Sequence, residues 1–209
     1  MDKEKVVLIT GGSKRIGANI ARYFHKMGFK VILHFNSSME EAESIKNDLL
    51  SKRKDSCITV QADFSDEISV NKAIKEIVNS TEALDVLINN AAFVSAKTFH
   101  IKDFKNYEKH PFDLWKKSFE VNVDAPFLLC QNVLGVMKKQ KSGNIINISS
   151  NYGLLGPDFD TYDGEKLWTP PGYAVTKSAI LNLTRYVANL YGKHGIRCNT
   201  LSPSGVATD

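Results

Sequence analysis

The run Val6-Val7-Leu8-Ile9-Thr10-Gly11-Gly12-Ser13-Lys14-Arg15-Ile16-Gly17 passes from four apolar residues into a glycine turn and then into a helical pattern. An apolar run without alternation describes a strand buried on both faces, as in a parallel sheet covered by helices. Beyond the turn, Ile16, Ile20, Phe24 and Met27 form one stripe, and Gly28 stands where a C-cap is expected. Strand, glycine turn and helix in this order let backbone N–H groups approach a pyrophosphate at the helix N-terminus. A tight turn with no ligand would use the same glycines, so the turn alone does not decide a function.

The unit recurs along the chain. Short apolar, β-branched runs at 31–35, 58–61, 86–89, 145–149 and 197–201 predict five more strands. Between them, 41–50 is a polar amphipathic helix, and Ser65 or Asp66 caps a helix through Val78. The segment 112–139 reads as one long helix even with Pro126 inside it, and 173–194 as another that stops near Gly195. Six βα units in a row predict an α/β fold: a doubly wound parallel sheet in three layers, one domain over 1–209. Ligands in such a sheet sit at the carboxyl ends of the strands.

The residues after each strand are therefore the place to look for chemistry. Position 15 is Arg where a third glycine would be common, and Lys14 sets a second cation beside the turn. After the second strand come His34, Phe35, Asn36, Ser37 and Ser38, with no acid until Glu40. An NAD site usually places a carboxylate here to accept from the ribose 2′-OH. Neutral Asn36 and Ser37 beside two cations suit a 2′-phosphate, so NADP(H) is expected over NAD(H). After the third strand, Asp63 precedes Phe64; it either accepts from an adenine amino group or caps a helix with Ser65. Asn89 and Asn90 can tie neighbouring strands through their amides, and Ala91 and Ala92 leave room for a flat ligand. After the fifth strand come Ser149 and Ser150, then Tyr173 and Lys177, which at i and i+4 share a helix face. A nearby ammonium and a cationic ring would lower the phenol of Tyr173 and make it a usable acid/base.

Composition narrows the classes. Of 209 residues, 43% are hydrophobic and 24% charged, which is ordinary globular composition and excludes disordered, collagen-like and coiled-coil chains. Apolar runs such as 6–9 and 127–130 are far too short to span a bilayer, and no signal-peptide core follows the charged start. No membrane partner is expected, and the location is expected to be cytoplasmic. Lys and Arg number 27 against 23 Asp and Glu, mixed along the chain, so nothing asks for nucleic acid. Cys57, Cys130 and Cys198 lie far apart and form no Cys-x-x-Cys pair, and the five His include no His-x-x-x-His. Neither a disulfide framework nor a metal site is expected.

In order, residues 10–17, Asp63, residues 89–92, Asn122 within Glu-Val-Asn-Val, Ser150, Tyr173 with Lys177, and Asn199, Pro203, Ser204, Gly205 and Thr208 resemble the motifs of the classical short-chain dehydrogenase/reductases. The resemblance covers the whole chain. It implies a Rossmann-like fold and an NADP-dependent oxidoreductase that interconverts a ketone and a secondary alcohol. In that family's terms Tyr173 is the acid/base. Lys177 lowers its pKa and holds the nicotinamide ribose, Ser150 orients the carbonyl, and Asn122 keeps a water linking Lys177 to solvent. Gly11, Ser13, Lys14, Arg15, Ile16, Gly17, Asn36, Ser37, Asp63, Phe64, Asn90, Ala91, Tyr173, Lys177, Pro203, Gly205, Val206 and Thr208 are the implied cofactor contacts. Ser149 is the rival for the catalytic hydroxyl. A homodimer or homotetramer acting on a small carbonyl or alcohol is expected.

Four features depart from the family pattern. Ser204 replaces a glycine. Twenty-two residues separate Ser150 from Tyr173, roughly ten more than usual, and residues 98–110 form a smaller insertion. The chain stops at Asp209, where the family continues through a substrate-covering helical lid and a seventh strand; these are expected in a longer natural chain. The first insertion, with Asp158, Phe159, Asp160, Tyr162 and Trp168, suits a polyhydroxylated substrate such as a sugar or sugar nucleotide, or else a subunit contact. Ketoacyl- or pteridine-type reduction and a non-catalytic dinucleotide scaffold are the alternatives.

Overall fold

The computed structural model describes residues 4–81, 83–94, 107–160 and 169–206. Strands β1 (Val6–Ile9), β2 (Lys30–Phe35), β3 (Cys57–Gln61), β4 (Val86–Asn89), β5 (Gly143–Ile148) and β6 (Ile196–Leu201) form one parallel sheet in the order β3-β2-β1-β4-β5-β6. The order reverses between β1 and β4, the switch point of a doubly wound sheet, where a crevice opens at the strands' carboxyl ends. All six strands fall within two residues of the apolar runs.

The helices lie on the two faces. One core joins Leu8, Ile32, Leu87 and Ile145 to α3 (Glu67–Ser80), α5 (Ala125–Gln140) and α6 (Pro171–Tyr191). The other joins Val7, Ile9, Val31 and Leu33 to α1 (Arg15–Lys26) and α2 (Met39–Lys52). The three expected layers are present. Cys57, Cys130 and Cys198 are buried thiols within these cores. Among the described residues, no helix is long and apolar enough to cross a membrane.

Two local expectations change. The deepest residues of α1 are Gly17, Ala18, Ala21 and His25, while Met27 is exposed. Small residues win the sheet-facing position because α1 comes so close: a Cβ on Gly17 would collide with the carbonyl oxygen of Gly11. The single helix expected over 112–139 is instead α4 (Phe112–Phe119), a π-helical turn at Glu120–Asp124, and α5. Pro126 explains the break. It has no N–H for the carbonyl four residues back, that of Asn122, and its ring crowds that position. A π-turn takes up the mismatch in one wider ring, and the backbone stays helical from α4 into α5.

Candidate active site

The glycine turn is held open by its neighbours. Gly11 has φ +61, and a Cβ there would press on the backbone of Ala91. Thr10 Oγ1 accepts from the N–H groups of Asn90 and Ala91, each at 2.9 Å. The Asn90 amide donates back to the carbonyls of Thr10 (2.9 Å) and Gly11 (3.1 Å). The switch point is thus stitched from both sides, as the paired asparagines suggest. Its other member, Asn89, reaches Asn147 on β5 at 2.7 Å, and Asn147 donates to Thr184 on α6. Arg15 sits in the left-handed region at φ 48, which is why glycine would be the easier residue there.

His34 is a site residue that sequence reasoning passed over. Its Nδ1 accepts from Gly11 N–H at 3.2 Å and its Nε2 donates to Ala62 O at 3.1 Å. One partner can only donate and the other only accept, so the ring is neutral with its proton on Nε2. The ring also stacks on Phe64 at 3.9 Å and 8°. Burial holds it down to about 4, against weaker opposing pulls from Ala62 and Asp63. A polar residue inside the apolar run 31–35 was the available signal.

Asp63 is only partly buried. Burial alone would raise its carboxyl, but hydrogen bonds from Ser65 N (2.9 Å) and Oγ (2.7 Å), with Lys117 and His34 nearby, hold it below its usual value. It braces the turn before α3, whereas the helix cap is Asp66, which accepts from Ile68 and Ser69.

The catalytic candidates stand across the crevice. Ser149 is buried and spends its hydroxyl on the carbonyl of Lys177 at 2.6 Å. Ser150 points the other way: it donates to Asn151 Oδ1 at 2.9 Å, accepts from Tyr152 N–H, and stands near enough to the phenol of Tyr173 to pull it down in part. Of the rival serines, Ser150 is the one that meets Tyr173. Lys177 is 4% exposed, donates to Ile148 O at 2.6 Å, and lies 5.5 Å from the centroid of the Tyr173 ring. Burial draws its ammonium down to about 8. The expected lowering of the Tyr173 phenol is not found: burial pushes it up, and Ser150 only partly opposes this. The phenol is protonated at neutral pH in this state of the protein.

Asn122 lies behind the crevice. Its Oδ1 accepts from Phe93 N–H at 2.7 Å, and its Nδ2 donates to Phe93 O (3.1 Å) and Thr176 Oγ1 (3.0 Å). Its side chain is thereby committed to the loop after β4 and to α6.

These groups line one cleft of about 620 Å³. It brings together Gly11, Ser13, Lys14, Arg15, Ile16, Gly17, Asn36, Ser37, Asp63, Phe64, Asn90, Ala91, Ser150, Tyr173, Lys177, Pro203 and Val206. Gly205 faces an adjoining space of about 620 Å³ with Ser150, Asn151, Tyr152, Asp158 and Tyr173. Thr208 lies outside the described residues, as do Tyr162, Trp168 and most of the 98–110 insertion. Besides His34, the cleft contains Phe93, Lys117 and Val121. Lys117 carried no sequence signal, because its place is set by how α4 packs on α6, which brings its Nζ to 5.5 Å from the Phe93 ring.

One expectation about charge needs correction. Lys14 already has an anionic partner: its Nζ lies 2.6 Å from Glu41 Oε1. The first turn of α2 brings that acid across to α1. Among the described residues Arg15 makes no ion pair.

A parallel sheet with this strand order, a glycine turn at its switch point and a Ser–Tyr–Lys group on the facing wall define a dinucleotide-dependent α/β enzyme. A family model described as short chain dehydrogenase matches residues 5–209. The chain belongs to the short-chain dehydrogenase/reductase family of oxidoreductases. It is 35% identical to xanthoxin dehydrogenase of Arabidopsis thaliana over 204 residues, covering 98% of this chain and 66% of that protein. It is 30% identical to the 3-oxoacyl-acyl-carrier-protein reductase FabG of Staphylococcus aureus, covering 100% and 77%. Among solved structures it is similar to a blue fluorescent protein from a metagenomic library in complex with NADPH (TM-score 0.83, 28% identity, covering 98% and 76%). It is also similar to a gluconate 5-dehydrogenase from Burkholderia cenocepacia in complex with NADP and tartrate (TM-score 0.80, 25% identity, covering 98% and 72%).

Proposed function

We propose that the protein interconverts a ketone and a secondary alcohol with NADP(H) as cofactor. The observation that carries this reading is the meeting of Ser150, Tyr173 and Lys177 on the wall of a cleft whose other end is the glycine turn. The cleft fits a dinucleotide: Gly11 and Gly17 let the turn, the loop after β4 and the start of α1 close on one another, so that α1 begins at the mouth of the cleft. Gly11, Ser13, Ile16 and Gly17 would hold the pyrophosphate. Asp63, Phe64, Asn90 and Ala91 would border the adenosine half, and Pro203, Gly205, Val206 and Thr208 the nicotinamide half.

A bound nicotinamide supplies or accepts the hydride. Tyr173, a phenol protonated at neutral pH, gives its proton to the carbonyl oxygen as reduction proceeds. Ser150 holds that oxygen with its hydroxyl. Lys177 keeps positive charge behind the phenol, which favours the phenolate once the proton has left, and Asn122 fixes the helix that carries both. Lys14 and Arg15 beside neutral Asn36 and Ser37 support a 2′-phosphate, and two similar structures are complexes with NADPH and NADP.

For the substrate, Asn151, Tyr152 and Asp158 around the space next to Tyr173 support a hydroxyl-rich molecule such as a sugar or sugar nucleotide. The likeness to a ketoacyl reductase, with Leu154, Leu155 and Phe159 lining an apolar cavity of about 440 Å³ nearby, supports ketoacyl reduction as the second reading. Exposed Phe127, Tyr186 and Leu190 on α5 and α6 support a homodimer or homotetramer. Three free thiols support a cytoplasmic location.

The test is NADPH oxidation against panels of sugars and ketoacyl thioesters, with Tyr173→Phe as the control variant. The variant is expected to lose roughly 10²–10⁴-fold in turnover while cofactor affinity by titration calorimetry stays unchanged. Turnover retained in Tyr173→Phe would overturn the assignment of the acid/base.

A further inference from the structure

We propose that Glu41 is a cofactor-specificity residue, an internal anion that competes with the 2′-phosphate for Lys14. The inference rests on the reading of the cleft as an NADP(H) site and adds to it a residue outside the glycine turn and outside the segment after β2.

The geometry is direct. Glu41 stands in the first turn of α2, and its Oε1 lies 2.6 Å from the ammonium of Lys14. Both side chains are about half exposed, at 47% and 52%, so the pair sits on the rim of the cleft and can exchange partners with a solute. Lys14 lines the cleft itself, with Arg15, Asn36, Ser37 and Ser38. Ser38, the residue before α2, makes no side-chain capping bond, and the Glu41 carboxylate instead accepts from its own backbone N–H in that first turn. Two cations at the cleft make a place for an anion, and the chain supplies one. The hydrogen bond from Lys14 keeps the Glu41 carboxyl below its usual value, so the competitor is fully charged at neutral pH.

A cofactor bearing a 2′-phosphate must displace the carboxylate from Lys14 and settle beside it, with like charges then close together. A cofactor lacking the phosphate leaves the pair intact. Glu41 therefore moderates the preference for NADP(H) that Lys14 and Arg15 create. An exposed pair has little net strength, so the effect is modest and selective.

The experiment is titration calorimetry of NADPH and NADH on the wild type, Glu41→Gln, Lys14→Met and the double variant. Glu41→Gln is expected to tighten NADPH roughly 1.5- to 5-fold, a scale set by exposed ion pairs, with NADH unchanged and the gain disappearing at high salt. In the Lys14→Met background the same change should do much less. The proposal is overturned if Glu41→Gln leaves NADPH affinity unchanged, weakens it, or tightens both cofactors equally. A failure of the cofactor reading itself looks different: Lys14→Met and Arg15→Met would then leave NADPH affinity untouched. If Lys14→Met weakens NADPH while Glu41→Gln does nothing, the cofactor reading stands and only the role of Glu41 falls.

Discussion

His34 should make the protein lose stability in mild acid through a single ring. The imidazole is 3% exposed, accepts from Gly11, donates to Ala62 and stacks on Phe64. Burial, the largest cause, holds it down to about 4 from an ordinary 6.5. The unfolded chain therefore takes up a proton before the native state does, and native stability falls as pH drops from about 6.5 towards 4. Each pH unit in that window removes about 1.4 kcal/mol, so a change from about pH 7.5 to about 4.5 should remove roughly 2.5 kcal/mol. Other groups titrate in the same range, and a variant isolates the contribution. His34→Gln retains polar atoms but does not titrate. Urea unfolding of both proteins at the two pH values gives two stability gaps. The wild type should be clearly more stable at the higher pH, because the variant disturbs bonds to buried backbone. At the lower pH the gap should shrink by roughly 2.5 kcal/mol. A gap that does not change with pH would refute the claim that the fold holds this ring neutral.

Two further outcomes follow from the site. Ser150→Ala should lower kcat by roughly 10²-fold, as expected for loss of one preorganised donor to the reacting oxygen. Ser149→Ala should instead lower the melting temperature and leave kcat within a few fold, since its hydroxyl serves the backbone of α6; steady-state kinetics and thermal melts separate the two. Reductive kcat should fall as pH rises through about 8, where Lys177 gives up its charge. In Lys177→Arg that limb should move to higher pH, which a pH–rate profile checks.

The fold was legible because each βα unit carries its own signal. Apolar runs without alternation, a glycine or capping residue at each junction, and their regular succession specify a parallel sheet before any contact is known. What the sequence hid was set by tertiary packing. Small residues take the deepest positions of α1, with Ile20 and Phe24 packed beside them and Met27 exposed, because the approach of Gly17 to Gly11 leaves no space for larger ones at the contact. The glycine turn, Asn90, Tyr173 and Lys177 could be placed from their order after the strands, whereas the choice of Ser150 over Ser149 needed the family resemblance. Glu41 and Lys117 could not, because each enters the site from a helix whose rotation depends on what it packs against. The direction of the Tyr173 shift was hidden for the same reason: desolvation is a property of the assembled cleft.

Asn122 has a mechanical consequence. With one amide it grips both backbone groups of Phe93 and the hydroxyl of Thr176, the residue before Lys177. The cofactor-facing loop after β4 and the helix bearing Tyr173 are welded into one jaw. The facing jaw, with Pro203, Ser204 and Val206, joins the rest through single strand-like bonds: Ser149 N–H to Leu201 O and Asn151 N–H to Pro203 O. Any shift of the loop after β4 is therefore carried directly to the turn of α6 that bears Thr176 and Lys177, and the reverse, through one buried amide.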